Sequence, residues 1–434
     1  KNRINDVIYF NPADTRYPIA FNPMESVGEE QKSLVADGIF GVFKKIWGNQ
    51  SWGPRLEYVL MNSILALMET PNSTLLGVLK MLSNEHYRDK VMRNVEDPVV
   101  REFWSVEYAH WSERDKKESV APIQNKVGQF ITSFIMRNVL GQPRSSFDVR
   151  DVMDKEKILI MNLSKGRIGE ENSALLGAMM ITKIQVAAMA RVDTPEPKRK
   201  DFYLYVDEFQ NFSTESFVNI LSEARKYRLC LILANQYVDQ LAPSVKSAIF
   251  GNCGTIVSFR VGAEDAERLV NELGPPFSKL DYCNLDKYSI YLRLMIDGLA
   301  GEAFSARTLP PINLEGTEGN VDKVIQVSRQ RYATARETVE NRLIRWISSQ
   351  KPVGTNLPVL TKRKDSLENK PGKSKSHRLR RRGRGKQSGP LFESLCYSCG
   401  AEIQVTFRPD GERPTFCAEC FKDHQRVRDR QSSP

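Results

Sequence analysis

The sequence predicts an α/β fold, in which a parallel-sheet core is interrupted by an all-α insertion and followed by a small cysteine-rich module. Three features predict it. Short apolar stretches alternate with helical segments, namely KILIMNL at 157–163, FYLYV at 202–206, LCLILA at 229–234 and the run from Thr255 to Phe259. That is the pattern of strands buried under crossover helices on both faces. Residues from about Glu29 to Leu140 instead carry apolar positions at helical spacing throughout. Beyond Pro352 the composition collapses to Lys, Arg, Ser, Gly and Pro until Pro390, and four of the seven cysteines follow.

The opening strand is expected at Val7 to Phe10, and the Pro- and Asn-rich FNPADTRYPIAFNP that follows reads as the connection leaving it. In the insertion, LEYVLMNSILALM is a helix, and Thr70-Pro-Asn-Ser-Thr breaks it from the next. The second half predicts a small-residue-rich helix over Asn172 to Arg191 and another from Ser213 to Tyr227. Tyr288 to Leu294 and Glu302 to Ala306 form a hairpin over Gly298, and one final helix spans Asp322 to Ser348. The domain reading is a core of 1–28 and 141–350, an all-α insertion over 29–140, a basic disordered linker over 351–390, and a zinc module over 391–434.

A chain of 434 residues suffices for two or three domains. The longest unbroken apolar runs, such as Leu229 to Ala234, are too short to cross a bilayer, and no charged-then-apolar leader opens the chain. A soluble, cytoplasmic segment is expected, attached to the inner face of a membrane only through upstream parts. Cys230, Cys253 and Cys283 stand singly in apolar settings and read as core. The net charge of +10 is concentrated: Thr361 to Pro390 holds twelve Lys or Arg against Asp365 and Glu368. Within it, Arg378, Arg380, Arg381, Arg382, Arg384 and Lys386 suit nucleic-acid phosphates without reading sequence. A solubilising spacer, RNA or an acidic membrane are the competing uses of such a tail.

Cys396-x-x-Cys399 and Cys417-x-x-Cys420 are separated by the seventeen residues 400–416. This is the spacing of a zinc ribbon with four thiolates on one closed, structural Zn2+. A redox pair or two disulfides compete with it.

The chemistry concentrates at strand ends. FYLYV runs into Asp207-Glu208, and the next strand into Ala234-Asn235-Gln236. An acidic pair ending an apolar strand is a common turn, yet in P-loop ATPases such a pair holds Mg2+ and polarises the attacking water. The succession Val206-Asp-Glu-Phe, Ala224-Arg-Lys-Tyr-Arg-Leu and Leu233-Ala-Asn-Gln resembles the TraG/TraD-like coupling proteins of type IV secretion and their FtsK and HerA relatives. So do DVIYFNPAD, the all-α insertion, Phe250-Gly-Asn-Cys-Gly and Ser328-Arg-Gln-Arg-Tyr.

The resemblance implies a RecA-like P-loop NTPase core using ATP and Mg2+, assembled as a homo-hexameric ring that moves DNA. Its further partners would be secretion-channel or relaxase proteins. It casts Asp207 as the magnesium ligand, Glu208 as the group that activates water and Gln236 as a polar sensor. Arg225 becomes an arginine finger acting on the neighbouring subunit, and Arg260 a second phosphate contact. No G-x-x-x-x-G-K-[ST] occurs, and GNQSWGPR at 48–55 has the glycines without the Lys. The phosphate loop is accordingly expected upstream of residue 1, and the chain alone is expected not to hydrolyse ATP. A nucleic-acid-binding scaffold that has lost turnover is the alternative reading.

Overall fold

The computed structural model describes residues 3–25, 28–48, 52–214, 217–313 and 319–348, together with 392–395, 402–405 and Thr415. The chain divides into two units, Lys1–Asn356 and Leu357–Pro434.

The first unit opens with β1 (Val7–Phe10) and continues into eight helices: α1 (Lys32–Trp47), α2 (Pro54–Met68), α3 (Leu76–Ser83), α4 (Glu85–Met92), α5 (Pro98–Glu102), α6 (Tyr108–His110), α7 (Glu113–Thr132) and α8 (Phe134–Leu140). Their boundaries follow local chemistry. Side chains of Asn84, Asp97, Ser112 and Ser133 accept hydrogen bonds from the first-turn amides of α4, α5, α7 and α8, and Pro54 starts α2, where its missing N–H is not needed.

The alternating part contains α9 (Val149–Asp154), β2 (Ile158–Met161), α10 (Lys165–Ile168), α11 (Glu170–Met189), β3 (Phe202–Val206), α12 (Phe217–Glu223), β4 (Leu229–Leu233), α13 (Pro243–Asn252) and β5 (Ile256–Ser258). Then come α14 (Ala263–Leu273), α15 (Lys279–Cys283), β6 (Ser289–Arg293), β7 (Met295–Ile296), β8 (Leu299–Ala300), β9 (Phe304–Arg307), α16 (Asn320–Tyr332) and α17 (Arg336–Ser348). β1 pairs parallel with β2, and β3 parallel with β4, Val206 opposite Leu233. The helices and both parallel pairs share one apolar core, which takes in Ile8 and Phe10 of β1, Leu60 and Ile64 of α2, Leu176 and Met179 of α11 and Val206 of β3. α11 is long and apolar enough to cross a membrane by length and composition, but it lies inside this core.

Three expectations are corrected. The run from Thr255 does not join a parallel sheet: β5 pairs antiparallel with β6, and β6 with β9, around a small core of Ala266, Leu269, Leu273 and Tyr282. Among the described residues the two parallel pairs are not hydrogen-bonded to each other or to that sheet. The helix expected from Ser213 to Tyr227 is shorter, α12 giving way to a 3-10 turn at Ala224–Tyr227 before Arg228 takes a left-handed φ of 56°. The last helix is two, because the connection between α16 and α17 pairs with the loop after β1: Ala333 bridges Ile19, Thr334 N–H donates to Pro18 O, and Arg336 N–H to Arg16 O. The hairpin over Gly298 forms as expected, with β7 and β8 at its tip.

In the second unit, β10 (Phe392–Leu395) and β11 (Glu402–Val405) form an antiparallel pair. The linker basic residues and all four candidate zinc cysteines lie outside the described residues.

α1 packs closely on α11 at Gly38, where an added Cβ would lie 2.3 Å from Thr182 Cγ2. Gly38→Ala should therefore destabilise the protein by about 1–2 kcal/mol in urea unfolding, although alanine is intrinsically the better helix former by roughly 1 kcal/mol. In a Thr182→Ser background, which lacks that methyl, the same substitution should become neutral or stabilising; equal cost in both backgrounds would contradict this packing.

Candidate functional site

The acidic site is built by two parallel strands that end together. Past the last paired residues the ladder continues: Ala234 N–H donates to Val206 O and Phe209 N–H to Ala234 O, both at 2.9 Å. Between these rungs the chain turns through Asp207 and Glu208, and Glu208 adopts φ 51°, ψ 45°. This left-handed conformation is uncommon for a residue with a Cβ. Phe209 anchors the turn, fully buried against Phe217 with ring centroids 4.7 Å apart.

The geometry gathers the amides onto Glu208. Gln236 Nε2 donates to its Oε1 at 2.6 Å and Gln210 Nε2 to its Oε2 at 2.5 Å, so the half-buried carboxylate is fixed in direction by both oxygens. Asp207 is exposed beside it, with Oδ1 accepting from the Glu208 N–H at 3.0 Å. Sequence reasoning did not find Gln210, whose role depends on the left-handed turn at Glu208.

A second missed residue lies behind the turn. Lys45, in α1, donates from Nζ to Gln210 O at 2.9 Å and to Ser213 O and Ser213 Oγ. It thereby caps the carbonyl end of the short turn Phe209–Asn211. Burial pushes its ammonium down to about 7.

Arg225 and Arg260 are both exposed and, with Asn235 and Gln236, line a cavity of about 1100 Å3 between β4 and β5. Among the described residues no ion pair holds either guanidinium. Gln236 thus both bonds to Glu208 and lines the same cavity as the two arginines. Among the described residues there is no cluster of three or more His, Cys, Asp or Glu side chains suited to a metal ion. Cys230, Cys253 and Cys283 are half-buried free thiols, and burial raises the first two.

Residues 201–275, which include Asp207, Glu208, Arg225, Gln236 and Arg260, match the family described as the TraM recognition site of TraD and TraG. Residues 390–425 match a probable treble clef zinc finger, which covers the four cysteines and names a different zinc fold from the ribbon that their spacing suggested. Among solved structures the chain is similar to the unbound bacterial conjugative coupling protein TrwB, at 13% identity and TM-score 0.49, over 70% of this chain and 73% of that one. TrwB in complex with ADP and Mg2+ matches at 13% identity and TM-score 0.48 over the same shares. VirB4 of Thermoanaerobacter pseudethanolicus matches at 12% identity and TM-score 0.42, over 70% of this chain and 76% of that one. No curated protein matches.

The Lys45 contact makes stability depend on pH in a defined direction. With its folded value near 7 and an unfolded value of 10.5, the unfolded chain binds more protons between those limits, so stability rises with pH across that window and falls as pH drops toward 7. Relative to Lys45→Met, wild type should gain roughly 1–2 kcal/mol between pH 7 and pH 9 in urea unfolding. Parallel pH profiles for the two proteins would show that Lys45 titrates normally.

Proposed function

We propose that this TraG/TraD-like chain belongs to an ATP-driven motor that moves DNA in conjugative transfer. The observation that carries the reading is the constellation at the strand ends: an exposed Asp207, and a Glu208 carboxylate aimed by Gln236 and Gln210. With both oxygens held by neutral amides, Glu208 is oriented before substrate arrives, which is what a group that positions or deprotonates an attacking water requires. Asp207, free toward solvent, would hold the Mg2+ of bound ATP. Gln236 would sense the terminal phosphate by releasing or keeping Glu208.

Arg225 and Arg260 supply positive charge to the cavity that Gln236 also lines. As exposed cations they suit phosphate contacts, Arg225 as a finger reaching the neighbouring subunit of a homo-hexameric ring and Arg260 in the same chain. The linker arginines and Lys386 would grip DNA backbone, and the four cysteines would hold a structural Zn2+. The description of the matched family adds a TraM-type protein to the expected secretion-channel and relaxase partners.

The scaffold reading has one observation in its favour. Both Glu208 oxygens are already occupied by side-chain amides, an arrangement that would also serve as a static cap.

Turnover separates the two. The 434-residue chain alone should not hydrolyse ATP, because it contains no phosphate loop. Within a polypeptide that also carries a phosphate loop, the protein should hydrolyse ATP with Mg2+. Glu208→Gln should keep nucleotide binding and lose at least about 100-fold in rate, close to 3 kcal/mol of barrier. A rate within a few-fold of wild type would remove Glu208 from the chemistry.

Metal analysis of the purified chain under reducing conditions should find one zinc, and Cys399→Ser or Cys417→Ser should each abolish stoichiometric binding. A zinc-free wild-type chain would leave the cysteines to redox chemistry.

A further inference from the structure

α17 is fastened to the helical part by a small apolar cluster of its own, in which Val339 and Leu343 pack with Leu76 of α3, and Ile131 and Trp346 lie against them. Between α17 and the two loops 72–74 and 141–144 lies a cavity of about 390 Å3. That is within the range of roughly 300–1,000 Å3 typical of small-molecule sites. Its walls are held in place by the fold itself. Asn22, 1% exposed, donates from Nδ2 to Ser73 O at 2.9 Å and to Pro143 O at 2.8 Å, so one buried amide ties the two loops together. Gln142 donates to Asn138 O at 2.7 Å and fixes the second loop to α8. On the third side Trp346 is clamped. Lys80 Nζ lies 3.7 Å from the centroid of its ring and bonds to Trp346 O at 3.3 Å, while Tyr87 meets the ring edge-on at 6.1 Å.

The lining is chemically one-sided. Its apolar part comes from Val339, Leu343 and Trp346, at helical spacing on α17, and its charge from Arg144 on one wall and Arg342 on another. Among the described residues no carboxylate lines the cavity, and neither guanidinium has a hydrogen-bond or ion-pair partner. Both arginines are exposed and Trp346 is half-buried, so the cavity opens to solvent with its cations at the mouth. Earlier on α17 the charge is compensated instead, Arg336 Nε standing 2.8 Å from Glu340 Oε1. A fixed indole beside two unpaired guanidinium groups suits a ligand with a flat apolar body and a phosphate. A lone carboxylate would leave both the ring and the second arginine without use. A base inside a duplex cannot enter such a slot, because its neighbours in the stack cover both of its faces.

We infer that this cavity is a nucleotide-binding slot separate from the acidic turn, in which one unpaired base lies on the face of Trp346 opposite Lys80 and Arg144 and Arg342 hold its phosphate. The ligand class is a single nucleotide unit, free or within an unpaired strand. Stacking on an aromatic ring accepts any base, so the slot grips without reading sequence. None of its lining residues belongs to the strand ends that carry Asp207, Glu208 and Gln236. The inference therefore does not rest on the ATPase reading, and loss of either leaves the other standing.

Photo-crosslinking of the 434-residue chain tests the slot without any substitution. A pentamer of 5-iododeoxyuridylate and 5-iododeoxyuridine monophosphate are irradiated with the protein in separate samples, and the labelled peptides are mapped. Labelling at Trp346 by the pentamer assigns the unit to a strand, and labelling there by the monophosphate alone assigns it to a free nucleotide. Label on neither, or only within the basic residues 361–390, overturns the inference, as does equal labelling by the same pentamer in a duplex. Affinity supplies the second measurement. A thymidylate pentamer should bind roughly tenfold more tightly than its abasic counterpart, and Trp346→Ala should erase that difference. Should Trp346→Ala fail to fold, Arg144→Gln with Arg342→Gln changes exposed side chains only. This pair should weaken pentamer binding at least tenfold and make its salt slope shallower by about 1.4 units, the value for two phosphates on a single strand. An unchanged slope, or binding of hexaglutamate through these arginines where thymidylate does not bind, would give the cavity to an acidic protein partner and overturn the inference.

Discussion

Two hydrogen bonds beyond the end of a parallel ladder determine where the acidic site can be. Ala234 N–H on Val206 O and Phe209 N–H on Ala234 O hold the two strand ends level. The turn between those rungs has only Asp207 and Glu208 to work with, and Glu208 goes left-handed to make it. That conformation is retained because Phe209, fully buried on Phe217, leaves the chain no other exit. Gln236 and Gln210 then reach opposite oxygens of one carboxylate, and Lys45 closes the arrangement from behind. The site is therefore a product of backbone register before it is a product of side-chain choice.

What the sequence made legible follows the same division. Strands of four or five apolar residues, the helix over LEYVLMNSILALM and the hairpin over Gly298 rest on local chemistry, and each stands within a few residues of its expected place. The clustering of Gln236 with Glu208 was legible because both end neighbouring strands. Features that depend on distant partners were not. The break between α16 and α17 exists because 333–336 pairs with 16–19, more than three hundred residues earlier, while the apolar spacing of that stretch runs on as if unbroken. Lys45 reads as one more charge at the end of a helix until the fold sets it under Gln210, and the antiparallel course of β5 is decided by β6, not by its own apolar residues.

The electrostatics are equally uneven. Most charged side chains of the first unit lie in exposed pairs at helical spacing, such as Arg114 with Glu118 or Lys155 with Asp151, and such pairs contribute little. Two cations differ. Arg191 is fully buried, bonded to Asp154 and to the carbonyls of Lys200 and Tyr227, and so fastens the end of α11 to the segments that lead into β3 and β4. Lys45 does the corresponding work at the other end of β3. A hydrogen-bonded basic side chain thus stands at each end of the strand that delivers the acids, fully buried Arg191 at its start and half-buried Lys45 at its end.

The tie from Lys45 also bears on how such a protein can change over evolutionary time. A run of helices lodged between two parts of an α/β sheet looks like a cassette, something recombination could swap for a relative's version or lose altogether. Here the cassette's first helix lends its apolar face to the common core and its lysine to the carbonyls under the acidic turn. Exchange would preserve the site only when the incoming helix carries a donor at the same height and a small residue opposite Thr182. The helical part is thus an insertion in the order of the chain but not an independent unit of inheritance, and its sequence should drift in step with the loop after β3.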